Sequence, residues 1–542
     1  MSEPTETVTP VEPPDPHPMA RRLVLAAIVA ISAVLAVLLH RSGHTQGDDF
    51  ALYLRQARSI FDGDIGQVVS DNRFAVLNSD GAFSPIAYPW VWPLLLSPFV
   101  HAWGFDYDRL KLVEVATFCL WLVLLHGIVR RRIGWWPAIA VVTVFATAPA
   151  YLSHTDQLLT EFPHLAAVAL VIWWYDRIRR DATLLTAVTG QLIALGALIA
   201  LAFNVRRESI VLLGVIGVVV IYDVASEVLS DRRGRNDRRR RSSRSDVGAV
   251  ERTVEVVRAN WQAIVTPFAA FAASAVLAQL LLPTDLLPDN GNSSAFLDDR
   301  MAEYPGILSD QLGLGENTAI GVGILLLATV GAVIGLRRRP TLDGPLLLLA
   351  VLSALALSTH LRRVDRYWFQ VTPWVIYFAT VALVTAAGWL LARRAASART
   401  ARLLTAAALV PLAALVVAHL VVLPGDISEA QEYNDVGRVQ SGPSNPGVVP
   451  IFDAVNSLTP PDSIVAYFRA RTMTLLTDRR SFQTKHLDRI IGRADYYAER
   501  RNSTYWQPDL SAAEARRAGF VEVWSDQRWI LWRLPDTPVT DP

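Results

Sequence analysis

The sequence predicts an α-helical polytopic membrane protein with a small C-terminal α/β domain, and three observations carry that prediction. Of 542 residues, 52% are hydrophobic and only 19% are charged. The apolar residues are gathered into blocks, and about 20 such residues cross the roughly 30 Å hydrocarbon core of a bilayer. Arginine-rich runs separate alternate blocks, as expected where a chain is threaded by the positive-inside rule. The mean hydropathy is +0.30, and the apolar spans exclude a soluble enzyme. The formal net charge of +1 gives no reason to expect a nucleic-acid partner.

Residues 1–19, rich in Pro, Glu and Thr, are predicted to be a disordered cytoplasmic tail. Arg21 and Arg22 precede an apolar run from Leu23 to Leu39 that ends in His40 and Arg41 without a small-residue cleavage site, so it is read as an uncleaved first span. About eleven spans follow from the pattern: 22–40, 110–129, 135–152, 158–175, 183–203, 208–223, 261–282, 317–336, 342–359, 367–391 and 402–423. With a cytoplasmic N-terminus, Arg130 to Arg132, Arg177 to Arg180, the stretch 224–260, Arg337 to Arg339 and Arg393 to Arg402 all fall inside. Segment 88–103, broken by Pro89, Pro93 and Pro98, is an outer re-entrant or interfacial helix; counted as a span, it would put Arg130 to Arg132 outside.

The membrane domain therefore covers 20–424 in a multi-pass plasma-membrane protein, with outer loops 41–109 and 283–316. The basic loop 224–260 reads as a cytoplasmic anchor and disordered linker. Residues 425–542 form an extracytoplasmic α/β domain, with helices at 448–458 and 511–518, a strand from Ser463 to Arg469, and a hairpin of Phe520–Trp524 and Trp529–Leu534. Cys119 is the single cysteine, so no internal disulfide forms.

Chemistry concentrates on the outer side. Gly47-Asp48-Asp49-Phe50 opens an amphipathic helix with Phe50, Tyr53, Leu54, Ala57 and Phe61 on one face, holding two carboxylates at the lipid boundary. Either aspartate also suits a helix cap, and of two adjacent residues one can cap while the other projects. Between the third and fourth spans, His154, Asp156, Glu161 and His164 lie close to apolar sequence, where charge is costly and so functional or paired. His154 and Asp156 match no specific metal-ligand spacing.

Arg206-Arg207-Glu208 and Arg362-Arg363-Val364-Asp365-Arg366-Tyr367 break the orientation rule, since arginine is otherwise scarce outside. A planar guanidinium is suited to phosphate, and a lipid-borne phosphate sits at that depth. The plainer alternative is internal pairing, of Arg207 with Glu208 and of Arg363 or Arg366 with Asp365. Trp90 and Trp92, beside the acidic loop, are candidate substrate contacts, whereas the other boundary aromatics form an interfacial belt.

Taken in order, these features resemble the membrane glycosyltransferases of the GT-C superfamily, nearest the dolichyl-phosphate-mannose-protein mannosyltransferase and aminoarabinose transferase type. The resemblance rests on Gly47-Asp48-Asp49, the proline-punctuated Tyr88-Pro89-Trp90-Val91-Trp92-Pro93, Glu161-Phe162-Pro163, and Arg366-Tyr367 followed by Pro373. The family's proline pair is split here by Trp90 to Trp92, and its Asp-Glu pair is Asp48-Asp49, which leaves both aspartates as candidate bases.

The resemblance implies a GT-C-like fold and inverting transfer of a sugar from a polyprenyl-phosphate donor to an extracytoplasmic glycan, lipid or protein. In that reading Asp48, Asp49 and Glu161 are catalytic. Arg206, Arg207, Arg362, Arg366 and Tyr367 bind the donor phosphate, and Tyr88, Trp90, Trp92, His154 and Asp156 contact substrate. Some relatives use a divalent cation, Mg or Mn, and the sequence does not decide for or against one. Two other readings compete. A transporter or flippase for an anionic lipid-linked substrate requires charges deep in several spans; in a non-catalytic scaffold Asp48 and Asp49 are replaceable.

Overall fold

The computed structural model describes residues 18–81, 83, 85–239, 249–285, 293–393, 403–404 and 406–535. Among them, eight helices are long and apolar enough to cross a membrane. These are α1 (Pro18–Leu38), α5 (Tyr107–Ile133), α10 (Val211–Arg239), α11 (Ala249–Leu281), α13 (Thr318–Arg338), α14 (Pro340–Ser358), α15 (Thr372–Arg393) and α16 (Val410–Asp435). The shorter apolar helices α6 (Trp135–Thr147) and α9 (Thr189–Phe203), and α8 (Glu161–Asp181), complete a bundle whose helices coincide with the expected spans. Helix α6 stops short because Pro149 starts a new helix, α7 (Pro149–His154), within the third expected span.

The expected linker 224–260 is corrected on both flanks: α10 runs on to Arg239 and α11 starts at Ala249, since Glu, Arg and Ala are good helix formers and let each span continue. Residues 240–248, and the disorder expected over 1–17, lie outside the described residues.

Close helix packing relies on missing side chains. A Cβ on Gly331 of α13 would overlap the backbone of Phe378 on α15, whereas one on Gly388 of α15 meets nothing within 4 Å. At one end of the bundle Arg132 is fully buried against Asp176 at 2.5 Å and Asp343 at 3.5 Å, and Tyr377 donates to Asp343 at 2.6 Å, tying α5, α8, α14 and α15 together. Lys111 begins the same α5, twenty-one residues earlier. At 1.5 Å per residue the two ends are about 32 Å apart.

At the Lys111 end, α2 (Asp49–Asp62), α3 (Ile65–Asn78) and α4 (Val91–Trp103) cover the bundle. Phe50, Tyr53, Leu54 and Ala57 of α2 pack on Leu96 and Val100 of α4. The helix is buried on a second face as well, where Arg55 pairs with Asp71 at 2.5 Å; Phe61, on the apolar face, stays exposed and stacks on His101.

Helix α16 continues unbroken past Pro424 to Asp435, beyond the boundary expected at 424. The C-terminal domain is a five-stranded sheet of order β2-β1-β3-β5-β4. Its strands are β1 (Ile464–Ala466), β2 (Arg480–Phe482), β3 (Tyr496–Arg500), β4 (Val521–Ser525) and β5 (Trp529–Arg533). β1 pairs parallel with β2 and β3, and β3, β5 and β4 pair antiparallel. Helices α17 (Val449–Leu458), α18 (Ala470–Thr477), α19 (Leu487–Arg493) and α20 (Ala512–Arg517) accompany it. The hairpin and helices α17 and α20 fall where the sequence puts them; β2, β3, α18 and α19 were not anticipated. Leu475 of α18 joins the apolar cluster of α2, and Thr472 donates to the Gly47 carbonyl at 2.9 Å, so the domain sits on the Gly47–Asp49 segment.

Candidate active site

Asp48 and Asp49 end the loop after α1 and begin α2. Asp48 occupies the cap position but makes no capping hydrogen bond. Neither aspartate is used up by the helix, which removes the capping alternative for Asp48. Asp49 projects into an open cleft with about 780 Å³ of empty space including its mouth, and Arg206, Arg207, Arg362, Arg366, Tyr367, Tyr88 and Glu161 line the same cleft. These residues come from five separate stretches of chain, all at the end of the bundle opposite Arg132: the start of α2, the turn before α4, the start of α8, the end of α9, and the α14–α15 connection.

Asp49 is held by three groups. Tyr88 donates its hydroxyl to Oδ1 at 2.6 Å, Arg471 stands 3.8 Å from Oδ1, and Arg366 stands 3.9 Å from Oδ2. Burial, then the Asp49 charge, raises the Tyr88 hydroxyl well above the ordinary tyrosine range, so it stays a proton donor to the carboxylate.

Glu161 is 5% exposed at its side chain and bridges the two arginine groups: Arg366 lies 2.9 Å and Arg206 3.1 Å from its Oε1, with His154 3.5 Å from Oε2. Its Oε1 is shared by the two guanidiniums. Arg206 also meets Glu208 at 3.2 Å, and the Tyr367 ring lies between Arg206 and Arg366, 5.1 and 5.7 Å from their centres. The expected pairing of Arg207 with Glu208 is thus made by Arg206. Arg207 bonds backbone oxygens of Asp285 and Phe203 instead, and Arg363 meets Glu303 at 2.6 Å. Four guanidiniums face three carboxylates across the cleft, an excess of one positive charge where the side chains converge. Buried Glu114 of α5 accepts the Leu159 N–H at 3.0 Å and fixes the turn leading to Glu161.

Three expected contacts are placed elsewhere. Trp90 and Trp92 are buried because their large apolar rings join apolar clusters, Trp90 with Val69 and Ala87 while donating to the Pro283 carbonyl at 3.0 Å, and Trp92 with the α2–α4 cluster. Asp156 pairs with Lys111 at 2.7 Å and accepts from Gln440 at 2.8 Å, off the cleft. Burial, opposed by Lys111, pushes its carboxyl up to about 6. His154 reaches the cleft only through Glu161.

Residues that the sequence did not single out come from the C-terminal domain. Arg471 donates to Asn72 at 2.9 Å, to the Pro85 carbonyl at 2.9 Å and to the Tyr88 hydroxyl at 3.2 Å. Arg469 stands 3.8 Å from Asp48. Asp48 itself is 8% exposed, and burial, against the pull of Arg469 and Arg471, raises its pKa from the usual aspartate value. The one available signal was two arginines spaced by one residue just after a strand, in Phe468-Arg469-Ala470-Arg471.

A divalent cation does not fit this donor set. Each carboxylate on the cleft already faces a guanidinium, and among the described residues no group of three or more His, Cys, Asp or Glu is arranged to hold a metal.

No protein family matches the sequence, and no curated protein matches it. Solved structures do. ArnT from Cupriavidus metallidurans bound to undecaprenyl phosphate superposes with a TM-score of 0.53 at 13% identity, covering 94% of this chain and 97% of that one. The apo state of the same protein gives 0.50 at 14%, covering 95% and 98%. The apo oligosaccharyltransferase of Archaeoglobus fulgidus gives 0.50 at 12%, covering 89% and 69%. Each likeness is one of fold, here, among the described residues, a bundle with eight helices long and apolar enough to cross a membrane and a small C-terminal five-stranded sheet.

Proposed function

We propose that the chain is an inverting glycosyltransferase that takes its sugar from a polyprenyl-phosphate donor. One observation carries the reading: a single cleft joins a projecting carboxylate, Asp49, to an arginine cluster with excess positive charge. The fold supports it, since the solved protein of similar fold is described as binding undecaprenyl phosphate.

In the reaction the acceptor hydroxyl oxygen bonds to the anomeric carbon from the face opposite the phosphate. The bond from that carbon to the phosphate oxygen breaks, and polyprenyl phosphate leaves with the electron pair. Asp49 accepts the hydroxyl proton. Tyr88 and Arg471 hold its carboxylate in place, so the base needs no reorientation as the bond forms. The leaving phosphate gains one negative charge, which Arg206 and Arg366, fixed by Glu161, are positioned to meet. Asp48, buried behind the cleft, is less well placed as the base.

Asp49→Asn in otherwise intact membranes is expected to lower sugar release from polyprenyl-phosphate donors by about 10² to 10⁴-fold, with donor binding retained. Full activity in Asp49→Asn, in Asp48→Asn and in the double variant would remove the proposed base. The acceptor class is open to a glycan, a lipid or a protein at this level of argument.

A further inference from the structure

The end of β3, the β4–β5 turn and the segment that follows α16 enclose a further cavity in the C-terminal domain, with about 810 Å³ of empty space including its mouth. It shares no lining residue with the cleft at Asp49. Arg500, Arg501 and Arg528 line it, and no Asp or Glu does. The arginines that this domain turns toward the membrane domain are matched by carboxylates: Arg480 with Asp71 at 3.0 Å, Arg489 with Asp80 at 2.8 Å, and Arg469 and Arg471 each 3.8 Å from Asp48 and Asp49. Among the described residues, none of the three guanidiniums in the cavity forms an ion pair. Like charges facing one space repel one another, so the arrangement favours an anion between them.

The plainer reading is a solvated basic face with loose side chains, but two of the three arginines are held. Arg501 donates its Nε to the Asp526 carbonyl at 3.0 Å and its backbone N–H to the Arg528 carbonyl at 2.9 Å, which leaves its outer N–H groups for a ligand. The Arg528 guanidinium lies against Gly447, where a Cβ would overlap it. Gly447 is itself pinned: Trp529 donates its Nε1 to the Gly447 carbonyl at 2.7 Å, and Asn445 accepts the Gly447 N–H at 2.8 Å. Arg500 and Arg528 are exposed and Arg501 is half-buried, so a ligand has access.

We infer that this cavity is a phosphate-binding site separate from the cleft. Each guanidinium offers paired N–H donors, and three of them suit the several oxygens of a phosphate group better than the two of a carboxylate. Asn502 and Gln527 line the same space and add amide donors. The phosphate is carried on a soluble molecule or on a lipid headgroup, and the chemistry at the arginines is the same for both. The site does not depend on the transferase reading.

The test uses the purified full-length chain in phosphatidylcholine nanodiscs, with and without Arg206→Gln, which weakens phosphate binding in the cleft. Pyrophosphate is titrated calorimetrically at constant ionic strength. It binds in both backgrounds, and Arg528→Gln and Gly447→Ala each weaken it about tenfold. Gly447→Ala removes no charge and only pushes the flexible end of Arg528 aside, so it separates a held guanidinium from diffuse attraction. Arg517→Gln, which removes one exposed charge at the end of α20, leaves binding unchanged. Arg528 is exposed, so its replacement leaves the fold intact. Repeating the titration in nanodiscs that contain phosphatidylglycerol identifies the source: pyrophosphate binding that persists assigns the site to a soluble phosphate, and binding that the headgroups displace assigns it to a lipid. No pyrophosphate binding in the Arg206→Gln chain, or equal weakening by Arg517→Gln and Arg528→Gln, overturns the inference.

Discussion

Arg471 is the residue on which the geometry around Asp49 turns. Its guanidinium spends three donors on Asn72, Pro85 and Tyr88, and its charge stands beside the carboxylate. Lysine cannot reproduce a planar fork. Arg471→Lys is therefore expected to lower kcat about tenfold with the donor KM within about twofold of wild type, because the arginines of the first cleft are untouched. A matched fall in donor affinity and thermal stability would mark a merely structural role.

A second residue sets a pH dependence. His44 is buried with its Nδ1 on the Thr45 carbonyl at 2.9 Å and its Nε2 accepting the Leu158 N–H at 3.0 Å, which fits only the neutral ring. Burial lowers its pKa from 6.5 to about 3. Below 6.5 the unfolded chain binds a proton that the folded chain refuses, so stability is present above that pH and is lost as pH falls toward 3. The loss amounts to about 2 kcal/mol by pH 5. Thermal melts at pH 7 and pH 5 should show a shallower drop in His44→Gln than in wild type; equal drops would remove His44 from the account.

At the scale of elements, helix contact in the bundle is governed by small residues. Gly331→Val forces α13 away from α15 and is expected to cost at least about 1–3 kcal/mol, read as loss of folded protein on detergent extraction. Gly388→Val on α15, facing open space, is the control and should be tolerated. The short helices beside the cleft hold Asp49 for a related reason. α2 packs against both α4 and α18, so Asp49 is fixed by packing from both domains rather than by its own loop.

Over the whole molecule, charge is divided between two ends. The cleft gathers the arginines that break the positive-inside pattern, whereas Arg130 to Arg132 and Arg337 to Arg339 lie at the far end with the buried Arg132 network. This division predicts that the cleft opens away from the cytoplasm. In a Cys119→Ala background, Arg363→Cys should react with an impermeant thiol reagent on intact cells, and Arg337→Cys only after permeabilisation. The opposite pattern would place donor and base on the cytosolic side and end the proposed topology. The two domains are also held as one by ion pairs: Asp71 of α3 bonds both Arg55 of α2 and Arg480 of β2, and Asp80 meets Arg489 at 2.8 Å.

The spans were legible in the sequence because each is a local property, some 20 apolar residues that no tertiary contact needs to explain. So were the hairpin, the short proline-bearing helix before the second span, and the acidic and arginine groups, the latter because charge beside lipid is expensive and stands out. Partners were not legible. That Glu161 joins Arg206 to Arg366, that Trp90 and Trp92 turn inward, that Asp156 belongs to Lys111, and that Arg469 and Arg471 reach the aspartates from more than 400 residues away were decided by the tertiary structure. Hydropathy records what a residue costs to bury; only the packed helices and the docked sheet determine which groups offset that cost.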